Sequence, residues 1–281
     1  MAVPIIRIEN TRGEVLNLSA DPRYAPVLTG AGPPAATINR AKVAVSDGTM
    51  YNSATVDERN LLLTVYLQRD IGRARRNLYR WLASKQYIKV YYQEEELDLY
   101  VEGYIETVDV NPWELDQRVA ASIICPMPHW RDVAETYTNA SNVQAIFELP
   151  FETGQDGVEL STVDILASTV IYNNGTVAAG CTFAITATTD VKKPRIHNMD
   201  TGEFIGCNVD LEVGDRLEIC THTGKKSVTL VRAGKRANYI NTVIPGSSWL
   251  QIAPGANELS YEVDDGECEL AIYHTNMYIG V

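Results

Sequence analysis

The sequence predicts a mainly β protein with two domains and a single helix. Short apolar runs with period-2 alternation, separated by turn residues, recur along most of the chain and are typical of strands. Only one segment has apolar residues at helical spacing. Polar, aromatic-poor residues at 131–145 indicate a linker, which separates an N-terminal domain at 1–130 from a C-terminal domain at 146–281.

Composition limits the possible functions. The chain is 45% apolar and 21% charged, as in ordinary globular proteins, and its 281 residues suffice for two cores. A net charge of -12 disfavours binding to nucleic acid or anionic lipid, because both are polyanions. No stretch approaches the roughly 20 apolar residues of a membrane span, and no export signal precedes the first strand. We therefore expect a soluble protein.

The first domain is predicted as strands around one helix. "AKVAV" and "TMYNSATV" flank a turn at Asp47 and Gly48, a pair that favours hairpins. "LLLTVYL" at 61–67 is apolar on both faces, which predicts a strand covered on both sides. "YIKVYY", "LDLYVEGYIETVDV" and "RVAASIIC" continue the sheet, and Pro126 ends the last of these strands.

The helix is predicted over 70–84, with Asp70 as its N-terminal cap. Its apolar face is formed by Ile71, Ala74, Leu78 and Leu82. The opposite face is basic and consists of Arg73, Arg75, Arg76 and Arg80. This basic face is either an ordinary solvated surface or a contact with an acidic surface on another chain.

The second domain is predicted as an all-β sandwich. Segments such as "TVDILAS", "GCTFAITAT", "NVDLEVGDRLEI" and "KSVTLV" recur about every 8 to 12 residues, with turn signals between them. The regular spacing of short strands favours two packed antiparallel sheets.

No catalytic, metal or cofactor site is predicted. The five cysteines are scattered, without ligand spacing, and are expected to be reduced and mostly buried. Cys125 and His129 come closest to a nucleophile and base, but four extended residues separate them by about 13 Å. Pro126 and Pro128 instead indicate a strand end, where Trp130 packs at the domain boundary.

Three adjacent carboxylates, Glu94, Glu95 and Glu96, form the tip between two predicted strands. They could attract a cation, but side chains on extended backbone alternate in direction and do not converge. The sequence favours a solvated acidic turn.

Two sets of motifs carry a family resemblance. The first half contains "ERNLLLTVYL", the helix with "LYRWLASKQ", and "RVAASIICPMPHW", while the second contains "VGDRLEICT" and "WLQIAPGANELSYE". Together they resemble the distal tail protein family of tailed bacteriophages, also called Dit. The resemblance spans nearly the whole chain and implies an N-terminal β-barrel-like domain and a C-terminal galectin-like antiparallel β-sandwich.

The resemblance implies a structural virion protein at the distal end of the tail, and no enzyme. Such proteins form homo-oligomeric rings, commonly hexameric, around a channel for DNA. The implied partners are other copies of the chain, the tail tube protein, the tail-tip protein and the receptor-binding or baseplate proteins. We expect no cofactor, no sequence-specific nucleic acid binding and no membrane insertion.

A ring also needs two different complementary patches on each subunit. We expect the basic helix face to meet an acidic surface such as Glu94, Glu95 and Glu96. Trp81, Trp130 and Trp249 are expected as structural anchors. The alternative function is a carbohydrate-binding adhesion module, although "RIHN" at 195–198 has the letters of the galectin sugar-binding set in a different order and spacing.

Overall fold

The structure, a computed structural model, describes residues 3–42, 47–113, 115–140 and 168–281. The described chain is mainly antiparallel β with one α-helix, which confirms the predicted fold class. It divides into two units: Met1–Ala134 together with Met277–Val281, and Glu135–Asn276.

The first unit contains eleven of the described strands and the helix. In chain order they are β1 Ile5–Glu9, β2 Val15–Asn17, β3 Tyr24–Thr29, β4 Ala36–Lys42, β5 Thr49–Val56, β6 Arg59–Leu67, α1 Ile71–Trp81, β7 Tyr87–Glu94, β8 Leu97–Val110, β9 Arg118–Cys125, β10 Trp130–Asp132 and, after the second unit, β24 Met277–Tyr278.

The main sheet of this unit has the order β2-β1-β7-β8-β9-β6-β3, with β10 joined to β8 and to β24. The buried face of β6 shows how its core forms. Leu61, Leu63 and Val65 are fully buried, whereas Leu62 between them is 43% exposed. The prediction that 61–67 is covered on both sides is therefore wrong for this unit, because the strand alternates between core and surface.

The helix is shorter than predicted and begins differently. Asp70 is left-handed, with φ of 51°, and its side chain makes no capping hydrogen bond. Its carbonyl oxygen instead accepts the N–H groups of Arg73 and Ala74 at 2.8 Å each. Ala74, Leu78 and Leu82 are buried as predicted, but Ile71 in the first turn is 37% exposed.

The boundaries between the units differ from the expected ones. The segment expected as a linker contains β10 and also β11, Thr136–Asn139, whereas 141–145 lies outside the described residues. The segment 277–281 belongs to the first unit, because β24 pairs with β10 through Trp130 and Tyr278. Of the predicted strand "TVDILAS", only Ser168 is described.

The second unit contains the remaining strands. In chain order they are β11 Thr136–Asn139, β12 Ser168–Asn173, β13 Ala179–Ala187, β14 Val191–Lys192, β15 Arg195–Asn198, β16 Phe204–Gly206, β17 Asp210–Leu211, β18 Arg216–Cys220, β19 Ser227–Arg232, β20 Lys235–Asn238, β21 Gln251–Ile252, β22 Gly255–Glu262 and β23 Cys268–His274.

These strands form two principal antiparallel sheets, ordered β11-β23-β13-β18-β19-β20 and β12-β22-β15-β16. Side chains from both sheets share one core, including Phe183 and Ile219 from the first and Ile196 and Leu259 from the second. Each large apolar side chain buried here contributes roughly 1.5–3 kcal/mol relative to exposure. A sandwich of two sheets follows from this shared core.

Candidate assembly surfaces

The exposed side of α1 carries arginines without ion-pair partners. Arg73, Arg76 and Arg80 are exposed and, with Arg23 and Asn77, line a groove of about 450 Å³. Among the described residues these three guanidinium groups make no ion pair, whereas Arg23 is bound to Asp21 at 2.5 Å.

The second unit shows what the helix arginines lack. Each of its four arginines has a carboxylate partner within 4 Å: Arg195 with Glu262 and Asp264, Arg216 and Arg236 with Glu218, and Arg232 with Glu212 and Asp215. Intramolecular pairing is thus the usual state of arginine in that unit. Within the described part of the chain, the arginine row on α1 has no such carboxylate partner.

The fourth predicted arginine lies elsewhere. Arg75 is half-buried, and its Nη1 donates to Oε1 of Gln117 at 3.0 Å. The contact places Arg75 on the flank of α1 that faces the loop 111–117. The structure therefore brings three of the four arginines together and separates Arg75 from them.

The predicted acidic patch lies at the β7–β8 turn. Glu95 and Glu96 are exposed, with Glu95 in the left-handed region at φ of 48°, while Glu94 accepts a hydrogen bond from the hydroxyl of Tyr92. β7 separates this turn from Gln86 beside the helix. Eight strand residues span about 23 Å, so the acidic turn lies at the far end of β7 from Gln86.

The loop 111–117 between β8 and β9 carries exposed apolar groups to which the sequence analysis gave no role. Trp113 is 93% exposed and Leu115 is fully exposed. The loop is nevertheless braced, because the Gln117 side-chain amide donates to the Pro112 carbonyl at 2.9 Å. The backbone oxygen of Gln117 also accepts the Leu67 N–H at 2.9 Å. The sequence did contain a signal for this surface, because Trp113 directly follows Pro112 in a turn.

The hairpin of β4 and β5 is a second surface that the sequence analysis left without a role. All but one of the residues in the two strands are exposed. Its apolar side chains include Ile38 at 60% exposure, Met50 at 59% and Tyr51 at 65%. The two strands pair with each other and with no other described strand.

A second groove, of about 670 Å³, lies on the other flank of α1 from Arg75. The half-buried anchor Trp81 forms part of it, beside the exposed Arg12 of the β1–β2 turn. The remaining lining residues are Asn10, Thr11, Glu14, Asn77, Arg80 and Gln86.

The segment around Cys125 is structural. Cys125 is fully buried, and burial raises the pKa of its thiol to about 12, so the thiolate needed for nucleophilic attack is scarce near neutral pH. Burial, together with Arg59 and Arg131, lowers the pKa of His129. Trp130 is fully buried in the first unit, and its indole N–H donates to the Ala31 carbonyl at 3.0 Å.

Arg59 is a buried cation that sequence reasoning missed. It is 1% exposed, and its guanidinium carbon lies 5.6 Å from the centre of the Trp130 ring. It donates to four backbone carbonyls: Gly30 at 2.8 Å, Gly32 at 2.5 Å, Pro128 at 2.6 Å and Ile279 at 2.6 Å. One side chain thereby joins three distant segments of the first unit.

In the second unit, the residues considered for sugar binding are engaged with protein groups. Arg195 pairs with Asp264 at 2.9 Å, and His197 lies 3.0 Å from Glu262. Trp249 is half-buried against the core, with the Lys226 ammonium 5.5 Å from its ring centre. These contacts favour packing roles for the side chains.

Among the described residues, no helix is long and apolar enough to cross a membrane. In the same part of the chain, no group of three or more His, Cys, Asp or Glu side chains is placed to hold a metal ion.

Comparison with known proteins finds one matching family model, within the C-terminal half of the chain. Residues 174–278 match the family model described as "Siphovirus-type tail component, C-terminal domain". No curated protein matches the chain.

Solved structures resemble the chain over nearly its whole length. SPP1 Dit (gp 19.1), described as a paradigm of the hub adsorption apparatus of phages that infect Gram-positive bacteria, has a TM-score of 0.70 at 13% identity, with 98% of this chain and 99% of that chain covered. A chain of the phage P2 baseplate, in its activated conformation with Ca, has a TM-score of 0.56 at 11% identity, with both chains fully covered. The baseplate with Sr gives 0.54 at 12% identity, with 97% and 98% covered.

The matched domain indicates the class of protein that the chain resembles: residues 174–278 are similar to the C-terminal domain of siphovirus-type tail components. The resemblance to distal tail proteins predicted from the sequence motifs is thereby confirmed. The fold of the whole chain is similar to that of SPP1 Dit.

Proposed function

We propose that the chain is a structural hub at the distal end of a phage tail. In this proposal it forms a homo-oligomeric ring, with six copies as the expected number, and the ring joins the tail tube to the tail-tip and receptor-binding proteins. The matched family model and the fold shared with phage hub and baseplate proteins support this assignment. A net charge of -12 supports a channel through which DNA passes without adhering.

The observation that carries the proposal of self-assembly is the β4–β5 hairpin. A two-stranded hairpin is marginally stable by itself in water. Here it also exposes Ile38, Met50 and Tyr51 to solvent. Covering these side chains with a neighbouring subunit would bury apolar area and stabilise the hairpin at the same time. We infer that the hairpin lies against an adjacent copy in the ring.

Charge supports contact between copies as well. Arg73 and Arg76, which make no ion pair among the described residues, lie on α1, and the exposed Glu95 and Glu96 lie at the turn after β7. Separate patches of opposite sign on one subunit suit head-to-tail association. We propose that the arginine row contacts an acidic surface of another chain, such as this turn of a neighbouring copy.

Negative-stain electron microscopy and light scattering of the purified protein test the hub proposal directly. The expected result is a closed ring with a central hole wide enough for DNA. Replacing Ile38, Met50 and Tyr51 together by Ser should disperse the ring into smaller species. The matched control, Val170→Ser with Tyr172→Ser and Val213→Ser, removes exposed apolar groups of the second unit and should leave the ring mass unchanged. A wild-type protein that stays monomeric at every concentration would refute the proposal.

The charged contact has its own test. Arg73→Glu with Arg76→Glu should weaken the assembly, most strongly at low salt, where electrostatic attraction is least screened. Lys225→Glu with Lys235→Glu in the second unit changes the net charge equally and is the control. Equal behaviour of the two double variants would show that the arginine row makes no subunit contact.

A further inference from the structure

The geometry points to a specific contact between copies that rests on the proposed ring: the loop 111–117 of one subunit inserts into the Trp81 groove of the next. We define the tip as the described residues of this loop, 111–113 and 115–117, and the Trp81 groove as the cavity lined by Arg12, Trp81 and their neighbours. The tip supplies Trp113 and Leu115 as apolar anchors.

The described backbone of the tip is braced by hydrogen bonds, although Trp113 and Leu115 are exposed. The side-chain Nε2 of Gln117 donates to the Pro112 carbonyl within the loop, and its Oε1 accepts a hydrogen bond from Arg75 Nη1 of the helix. The Trp113 N–H also donates to Asn111 Oδ1 at 3.1 Å. A loop whose backbone is fixed before binding loses less conformational entropy on insertion than a flexible loop. Tryptophan side chains that become buried on binding supply much of the energy of protein interfaces.

The tip and the groove lie on opposite flanks of α1. Arg75 contacts Gln117 of the tip on one flank. Two positions along the helix, Asn77 lines the groove and donates to the Tyr24 hydroxyl at 3.1 Å on the other flank. Since a helix with its side chains is about 10–12 Å wide, the tip of a subunit does not reach its own groove. Patches on opposite flanks instead favour a heterologous, ring-closing contact.

The two surfaces also complement each other in charge and size. Asp109 beside the tip and Asp116 within it are exposed and, among the described residues, have no ion-pair partner. The groove offers the guanidinium groups of Arg12 and Arg80, which are equally without ion pairs in the described chain. Guanidinium groups bind both carboxylates and the face of an indole ring. A groove of about 670 Å³ has room for the Trp113 side chain.

Disulfide crosslinking of the full chain tests this contact and its direction. Trp113→Cys combined with Thr11→Cys places one thiol on the tip and one in the groove. A disulfide requires Cα atoms within about 7 Å, so oxidation should link only neighbouring copies. The expected result is a ladder of covalent species that extends beyond dimers, and each single variant and the wild type are controls. Dimers only, or no crosslink in intact rings, would overturn the proposal.

A second pair of variants measures the energy of the contact. Trp113→Ala with Leu115→Ala should raise the concentration at which rings dissociate by about tenfold or more. The subunit should remain folded by circular dichroism, because both side chains are exposed. Tyr172→Ala, at an exposed aromatic of the second unit, is the control. Unchanged dissociation in the tip variant would reject this contact while leaving the ring itself intact, whereas a monomeric wild type would reject both proposals.

Discussion

Arg59 shows how much of the first unit depends on one residue. Its guanidinium is buried and makes all its hydrogen bonds to backbone carbonyls. Arg59→Met would keep most of the packing volume but leave those buried acceptors without donors. We expect the free energy of unfolding to fall by about 3–5 kcal/mol.

Urea denaturation followed by tryptophan fluorescence measures this loss, since Trp81, Trp113 and Trp130 all lie in the first unit. Arg236→Met is the control, because its side chain is 63% exposed in a surface ion pair with Glu218 and should contribute at most about 1 kcal/mol. Equal effects of the two substitutions would contradict the structural role of Arg59.

Asp215 gives the second unit a pH-dependent contribution to stability. Burial would raise its pKa, but hydrogen bonds from Arg232 and from the Glu212 N–H outweigh burial, so the pKa lies below its ordinary value. A carboxyl whose pKa is lowered by folding stabilises the protein above its unfolded pKa of about 3.9, and the contribution is lost as the pH falls through the lower folded value.

Asp215→Asn should therefore destabilise the second unit by about 2 kcal/mol at pH 7 and by progressively less below about pH 4. Chemical denaturation at several pH values measures the difference. Asp265→Asn, which alters a largely exposed ion pair with Lys192, should have no measurable effect. A difference that stays constant down to pH 2 would show that the ionised form of Asp215 is not what matters.

At the level of elements, β6 contains identical residues in different environments, so the effect of burial can be measured apart from the effect of residue type. Leu63 is fully buried, whereas its neighbour Leu62 faces outward. Leu63→Ala should cost roughly 2–5 kcal/mol of unfolding free energy, because it leaves a cavity in a packed core. Leu62→Ala, the same chemical change one residue away, should cost less than about 1 kcal/mol in the isolated subunit. Similar costs in urea denaturation would mean that both faces of β6 are covered.

The same strand shows what a sequence can reveal about elements. An apolar run interrupted only by Thr64 predicts a strand correctly, but it does not distinguish a sheet covered on both faces from one whose outer face awaits a partner. The helix was predictable from its apolar spacing. Its first residue was not, since Asp70 suits a cap by composition but adopts a left-handed conformation. Capping depends on a backbone angle that residue identity leaves open.

Surfaces were predictable only in part, for a related reason. Basic residues at helical spacing, as in Arg73, Arg76 and Arg80, are visible in the sequence. The exposure of Trp113 is not, because tryptophan is normally found at least partly buried. The role of Arg59 depends on Ile279, 220 residues away, and no local pattern reports such a contact.

At the level of the whole molecule, the first unit is completed by the segment 277–281, which lies at the end of the described chain. β24 pairs with β10, Ile279 accepts from Arg59, and the Val281 N–H donates to the Ala31 carbonyl at 3.2 Å. These contacts come from 277–281, which follows the entire second unit in sequence. Contacts so distant in sequence form late in folding, because loop closure opposes them.

Truncation after Asn276 should therefore weaken the first unit and spare the second. Hydrogen exchange followed by mass spectrometry should show faster exchange in β6 and β10, because Arg59 loses an acceptor and Trp130 a strand partner. Exchange in β13, within the core of the second unit, should stay at the wild-type rate. Ile279→Ala is the matched control, since it keeps the carbonyl that Arg59 binds and removes a 40% exposed side chain. If truncation accelerated exchange equally in both units, the segment 277–281 would stabilise the whole protein and not the first unit in particular.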